Sequence, residues 1–173
     1  MKAIAVSVTA GRFSTRLYAD SAIFRDVMPL FLPDVHAHWR GRVCLALRIG
    51  RLGKSVSETF AMRYVDAYTA LSVQYTDADI DTSTMDQAVM AGRWLDIANL
   101  GREISLRVDD AEAKYDLESL QIPEAIAHVS RYATIKTGDI IILADTDIDV
   151  PLEAPGLLTA VVDGSECLRM KIR

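Results

Sequence analysis

Arg40 and Arg42 stand two residues apart in the run WRGRVCLALRI, at the point where an apolar strand begins. Side chains alternate along a strand, so Arg40, Arg42, Cys44 and Ala46 share one face, while Trp39, Gly41, Val43, Leu45 and Leu47 share the other. Two guanidinium groups therefore point into one space. A guanidinium has donors only and stays charged, so the pair cannot ligate a cation. It can hold a carboxylate or a phosphate, whose oxygens match the arginine fork. It can also be neutralised by acids of the chain itself. Unpaired buried charge is costly, so the internal ion-pair cluster is the expected arrangement.

The other residues with chemical capacity form no convincing set. DADID (Asp77, Asp79, Asp81) and DTDID (Asp145, Asp147, Asp149) place acids at alternate positions like the start of a calcium loop, but neither has Gly at the sixth position or Glu at the twelfth. Both read as solvated turns. His36 and His38 share a strand face at a spacing a metal can use, yet no third ligand accompanies them, and His128 lies apart as a packing residue with a polar tip. Ser72 and Ser130 lack a nucleophile elbow or a placed His and acid. Cys44 and Cys167 sit in apolar runs without C-x-x-C spacing or a cationic setting, and read as inert buried thiols.

The elements that must position these residues form an α+β chain dominated by strands. With 173 residues, half of them hydrophobic, one core and a single domain over 1–173 are expected. A net charge of −5 leaves no basic excess for nucleic acid or anionic lipid. No segment has membrane-spanning length and the first residues alternate like a strand rather than a signal peptide, so a cytoplasmic protein is expected. AIAVSV and SAIF read as strands. After LGK, Ser55 with Glu58 three residues later reads as a capping box, opening a helix whose Phe60, Tyr64 and Tyr68 face inward. AYTALSVQY is strand-like, and STMDQAVMAGRWLDIA reads as a second helix capped by Ser83 and weakened at Gly92. REISLRV alternates as a strand, and a third helix starts near Pro123 with Ile122, Ile126 and Val129 on one side. From Tyr132 onward the chain reads as strand and turn, with an Asp163-Gly164 hairpin.

Three stretches together resemble the fumarylacetoacetate hydrolase family. LALRIGRLGKSVSETFAMRYVDAYT is similar to its E-L-x-x-x-I-x-x-x-G-K-x-I-x-E-x-x-A-x-x-Y-V-x-x-Y-T segment; HVSRYATIKTGDIIILADT is similar to its I-S-x-x-x-T-L-x-x-G-D-I-I-x-T-G-T tail. SAIF matches the strand that precedes a lysine-proline pair. The matches run in order and cover most of the chain outside residues 76–101. The resemblance implies a β-sandwich roll with a few flanking helices, a homodimer, and cleavage or isomerisation of 2-oxo or β-diketo acids with Mg²⁺ or another divalent cation. A hard cation needs several oxygen ligands, which the family supplies as Glu-x-Glu on one strand and Asp on another.

Aligned on LRIGRLGK, the Glu-x-Glu positions fall on Arg40 and Arg42, and the third ligand falls on Val73. The family's water-activating His and Glu fall near Phe13 and Arg16, its lysine on Asp26, and its final T-G-T contact on Asp145. No catalytic residue and no metal ligand is therefore assigned. Asp26 and Asp145, acidic where the family is not, are the expected partners of Arg40 and Arg42. The favoured reading is a degenerate, non-catalytic protein of this fold that acts by binding or dimer formation. The alternatives are a surviving metal-dependent hydrolase or isomerase, and a binder of a small anionic metabolite such as a carboxylate through Arg40 and Arg42.

Overall fold

Twelve strands account for most of the described residues of the computed structural model, which are 1–34 and 37–173. They are β1 (Lys2–Thr9), β2 (Arg12–Ala19), β3 (Ile23–Arg25), β4 (Trp39–Ile49), β5 (Val65–Thr76), β6 (Val89–Ala91), β7 (Leu95–Asp96), β8 (Glu103–Val108), β9 (Ala111–Asp116), β10 (Ile140–Pro151), β11 (Gly156–Val162) and β12 (Ser165–Ile172). Two α-helices join them, α1 (Glu58–Ala61) and α2 (Ile122–Tyr132). The architecture is α+β and mainly β, as the patterning implies.

The larger sheet runs β2-β1-β10-β4-β5-β6-β3, with β7 also on β5; the smaller runs β12-β11-β8-β9. The edge strands β2 and β3 of the larger sheet are consecutive in sequence, linked only by the turn Asp20–Ala22. A flat path of six inter-strand steps would separate those edges by about 29 Å. The link reaches at most about 14 Å. The sheet therefore rolls up until its edges approach, and the buried Ala22 lies in the seam.

Strand alternation divides the side chains between two surfaces of this roll. Val43, Leu45, Leu47 and Ile49 of β4 point outward into the main core, shared with the small sheet and with Ile122, Ile126 and Val129 of α2. Cys44 and Ala46 point inward with Ala3, Leu71, Ala91 and Ile142. Small residues suit a tightly curled interior, where facing strands leave little room. Among the described residues no helix is long and apolar enough to cross a membrane.

Two expected helices are replaced. From Ser55 the chain makes one α-helical turn and a 3₁₀ turn, Met62–Tyr64, before β5 starts at Val65. The β-branched and aromatic run that follows pairs along β4, with Val65 opposite Ile49 and Tyr68 opposite Leu47, and this pairing overrides the local helical spacing. Tyr68 is buried as a strand residue, but Phe60 is half exposed under the Arg63 guanidinium rather than facing inward. Ser55 is no cap: it has a positive φ, and its N–H donates to the Ser130 carbonyl. The helix expected from Ser83 is two 3₁₀ turns and the short strands β6 and β7. Gly92 ends β6 where the sheets meet; a Cβ there would lie 2.4 Å from the Cys167 carbonyl oxygen. The third helix and the Asp163-Gly164 hairpin match expectation, both turn residues having positive φ.

Candidate functional site

Arg40 and Arg42 do share one face, the inner face of the roll at one of its two mouths. Tyr75 and Val73 of β5 lie directly opposite them. On the other side, β10 carries an irregularity in which the four residues Ala144–Asp147 oppose the single Cys44. Buried Thr146 holds this bulge: its Oγ1 accepts from the Leu45 N–H at 2.9 Å and donates to the Leu143 carbonyl at 2.6 Å. The extra residues reverse the alternation of β10. Before the bulge Ile140 and Ile142 point inward; beyond it Ile148 packs on the outer core and Asp149 falls opposite Arg42.

The arginines are thus paired with acids, but not with Asp26 and Asp145. Arg40 Nε donates to Asp149 Oδ2 at 2.9 Å and to the Tyr75 hydroxyl at 3.1 Å, and that hydroxyl donates to the same carboxylate oxygen at 2.7 Å. The hydrogen bond to Asp149, then that to Tyr75, pushes the Arg40 guanidinium further up from its ordinary value. The Arg42 guanidinium carbon lies over the Tyr75 ring, 4.4 Å from its centroid, with Nε 4.0 Å from Asp147 Oδ2. Asp147 and Asp149 belong to the DTDID run read as a solvated turn; it is part of β10. In the other acidic run, Asp81 pairs with Arg16 at 2.7 Å and Asp77 with His38 at 2.8 Å. His36 lies outside the described residues.

The remaining expected site residues divide. Arg16 and Val73 line one cavity with Arg42, of about 190 Å³, at the mouth of the roll. Phe13 alternates outward, packs on the main core and stacks on His128 at 5.0 Å between ring centroids. Asp26 sits beside the middle of β12, accepting from the Arg169 N–H at 3.0 Å. Asp145 turns outward in the bulge and accepts from the Val8 N–H at 2.7 Å.

Residue-by-residue reading missed Ser7, Ser14 and Tyr18, which the β1–β2 pairing brings to the cavity. The signal was there in the alternation: Ser7 pairs with Ser14 and Ala5 with Arg16. The two serine hydroxyls are 2.7 Å apart. Burial raises the Tyr18 pKa, partly opposed by Arg16. Cys44 forms the floor, its thiol pushed up to about 12 by burial and, less, by Asp147. A neutral thiol of this kind is a poor nucleophile at physiological pH.

The divalent cation implied by the family resemblance does not fit these residues. Counted back from Ile49 along the E-L-x-x-x-I segment, the ligand pair falls on Arg42 and Cys44 rather than on Arg40 and Arg42, and these two line the cavity with Val73: a guanidinium, a neutral thiol and an apolar side chain. Among the described residues, no three His, Cys, Asp or Glu side chains converge on a point where an ion could be held. The opposite mouth holds a larger cavity of about 380 Å³ beside Phe24, Trp94 and the ion pair of Arg48 with Asp66.

The sequence matches no known family profile and no curated protein. Solved structures do match. Maleylpyruvate hydrolase from Sphingobium sp. SYK-6, in complex with manganese(II) and pyruvate, superposes with a TM-score of 0.83 at 23% identity, over 99% of this chain and 69% of that one. The 5-carboxymethyl-2-hydroxymuconate delta-isomerase of Mycobacterium smegmatis gives 0.81 at 20% identity, over 99% and 78%. A Yersinia pestis CO92 protein assigned to the fumarylacetoacetate hydrolase family gives 0.80 at 15% identity, over 99% and 93%.

Proposed function

We propose that this chain, which has the fumarylacetoacetate hydrolase fold, acts by binding rather than by turnover. The observation that carries this reading is the Arg40–Asp149–Tyr75 cluster. At the mouth where the fold's enzymes are expected to hold a cation, positive charge is supplied by the chain itself and is already compensated. A divalent ion brought to the cavity would meet the guanidinium groups of Arg42 and Arg16 in its lining, and like charges repel. Asp147 and Asp149 are the acids nearest the arginines, and each faces one of them.

The alternative, a metal-dependent hydrolase or isomerase of 2-oxo acids, draws on the similar enzymes, one of them solved with manganese(II) and pyruvate. One experiment separates the two readings. Calorimetric titration with Mg²⁺ and Mn²⁺ is expected to show no stoichiometric site, and acylpyruvates and fumarylacetoacetate are expected to survive prolonged incubation. A single tight divalent site with turnover that a chelator abolishes would overturn the proposal. The resemblance also supports a homodimer as the working assembly; sedimentation showing only the 19.1 kDa species at micromolar concentration would remove that part.

A further inference from the structure

We propose that the Arg48 mouth of the roll, at the opposite end from Arg42, binds a small aromatic monocarboxylate, with its ring against Trp94 and Phe24 and its carboxylate on Arg25. The site is separate from the one considered above, so the inference stands or falls apart from the non-catalytic reading.

The backbone is shaped around this mouth. Arg48 of β4 pairs with Ala67 and Ile49 with Val65, so Asp66 is the extra residue of a bulge in β5. A bulge re-aims the side chain it adds, and this one brings the Asp66 carboxylate to Arg48, which donates from Nε at 2.8 Å and from a second nitrogen at 3.2 Å. Gly50 makes the room: a Cβ there would lie 2.8 Å from the Asp66 Cβ. The Arg48 guanidinium in turn stands over the Trp94 ring, 5.4 Å from its centroid. Just before Trp94 the chain is fastened on both sides, the Arg93 N–H donating to the Cys167 carbonyl at 2.6 Å and the Arg93 carbonyl accepting from the Thr69 hydroxyl at 2.7 Å.

The lining sets the class of ligand. Ile23, Phe24, Ala91, Trp94 and Ile140 give the cavity of about 380 Å³ an apolar wall. That space has room for roughly twelve waters, hence for one ring or two fused rings. Indole and phenyl walls favour a flat ring, which meets them offset or edge-on. The Arg48–Asp66 pair is neutral as a unit and calls for no ionic partner. Arg25 supplies the charge. Along β3 it alternates onto the inner face with Ile23, opposite Ala91 of β6. It is exposed, and among the described residues it enters no ion pair. One cation at the rim of an apolar cavity suits one carboxylate, whose two oxygens match the arginine fork, and a second charge deeper in would be left without a partner.

The test is isothermal titration of the whole chain with 2-naphthoate, 2-naphthamide, benzoate and cyclohexanecarboxylate. 2-Naphthoate is expected to bind one to one, and more tightly than benzoate because it covers more of the apolar wall. Cyclohexanecarboxylate, puckered where benzoate is flat, should bind about threefold more weakly than benzoate. The uncharged 2-naphthamide should bind about tenfold more weakly than 2-naphthoate, the loss expected for a hydrogen bond to a charged group. Arg25→Gln, an exposed substitution, should bring 2-naphthoate down to the level of the amide and leave the amide itself unchanged. Trp94→Leu should weaken the aromatic ligands, whereas Arg107→Gln on the small sheet should weaken none. Equal affinity for acid and amide, 2-naphthoate binding unchanged in Arg25→Gln, or no saturable binding at millimolar 2-naphthoate would overturn the inference. Binding lost in Arg42→Gln but kept in Arg25→Gln would place the ligand at the other mouth and overturn it too.

Discussion

Asp139, the acid of the TGD turn, is expected to be among the most sensitive polar positions of the fold. It is 2% exposed and accepts three hydrogen bonds. Oδ1 takes the Lys2 N–H at 3.1 Å; Oδ2 takes the Lys136 N–H at 2.9 Å and the Lys2 ammonium at 2.5 Å. The contacts clamp the start of β1 to the start of β10, two strands that reach the cavity further along. In Asp139→Asn the shape survives, but the side-chain NH₂ must face donors on one side or the other. Losing one or two bonds to a charged acceptor costs about 1.5–3 kcal/mol each, so a loss of about 3 kcal/mol is expected. Lys2→Met leaves the carboxylate with its two backbone donors and should cost about 1–2 kcal/mol. The double variant should lose less than the sum, by about 1 kcal/mol, because the shared ion pair is counted once. Urea unfolding followed by tryptophan fluorescence and circular dichroism gives all four corners of this cycle. In a chain of this length the Asp139→Asn loss corresponds to a drop in Tm of about 6–12 °C. A loss below about 0.5 kcal/mol, or strict additivity, would refute the clamp.

Gly92→Ala should destabilise the chain by about 2 kcal/mol or more, because the new methyl would meet the backbone carbonyls of Cys167 and Ala70, which cannot swing aside as a side chain can; the urea midpoint reads this. Cys44 should resist thiol reagents at pH 8 in the folded protein and react after unfolding. Its thiol titrates at about 12 when folded, above the unfolded value, so its contribution to stability is complete below about pH 8.5 and is lost as pH rises toward 12. Tyr68, also pushed up to about 12 by burial and by neighbouring Asp163, acts in the same direction. Between about pH 8.5 and 12 stability should therefore fall more steeply with pH in wild type than in Cys44→Ala; parallel slopes in urea unfolding would deny the thiol any part.

Much of this was legible in the sequence, and the exceptions have a common physical origin. Alternation in WRGRVCLALRI is enough to place both arginines on one face, and Pro123 with its apolar row marks α2. What alternation cannot carry is parity across an irregularity. Asp147 and Asp149 would point outward if β10 continued regularly from Ile142; the bulge held by Thr146 turns them toward the arginines. Asp26 and Asp145 looked better placed only because strand order and the bulge are invisible along the chain. The run from Glu58 to Thr69 failed differently. Its aromatic spacing suits a helix, but the partner strand β4 lies close by, and long-range pairing outweighs a local preference worth a few tenths of a kcal/mol per residue. Ser7 and Ser14 required the β1–β2 register, which residue types alone do not give.

The three-residue link Asp20–Ala22 that fastens β2 to β3 also determines how traffic can pass through the molecule. A hoop laced at its seam cannot widen by letting its edges drift apart, so anything reaching the interior must come in at an end. Between those ends the bore is stoppered by Ala3, Ala46, Leu71, Ala91 and Ile142, all buried. Arg42 at one port and Arg48 at the other therefore open onto separate solvent, and among the described residues these buried side chains stand between them. Occupying one port should leave the other's chemistry untouched, and substitutions at the two should simply add.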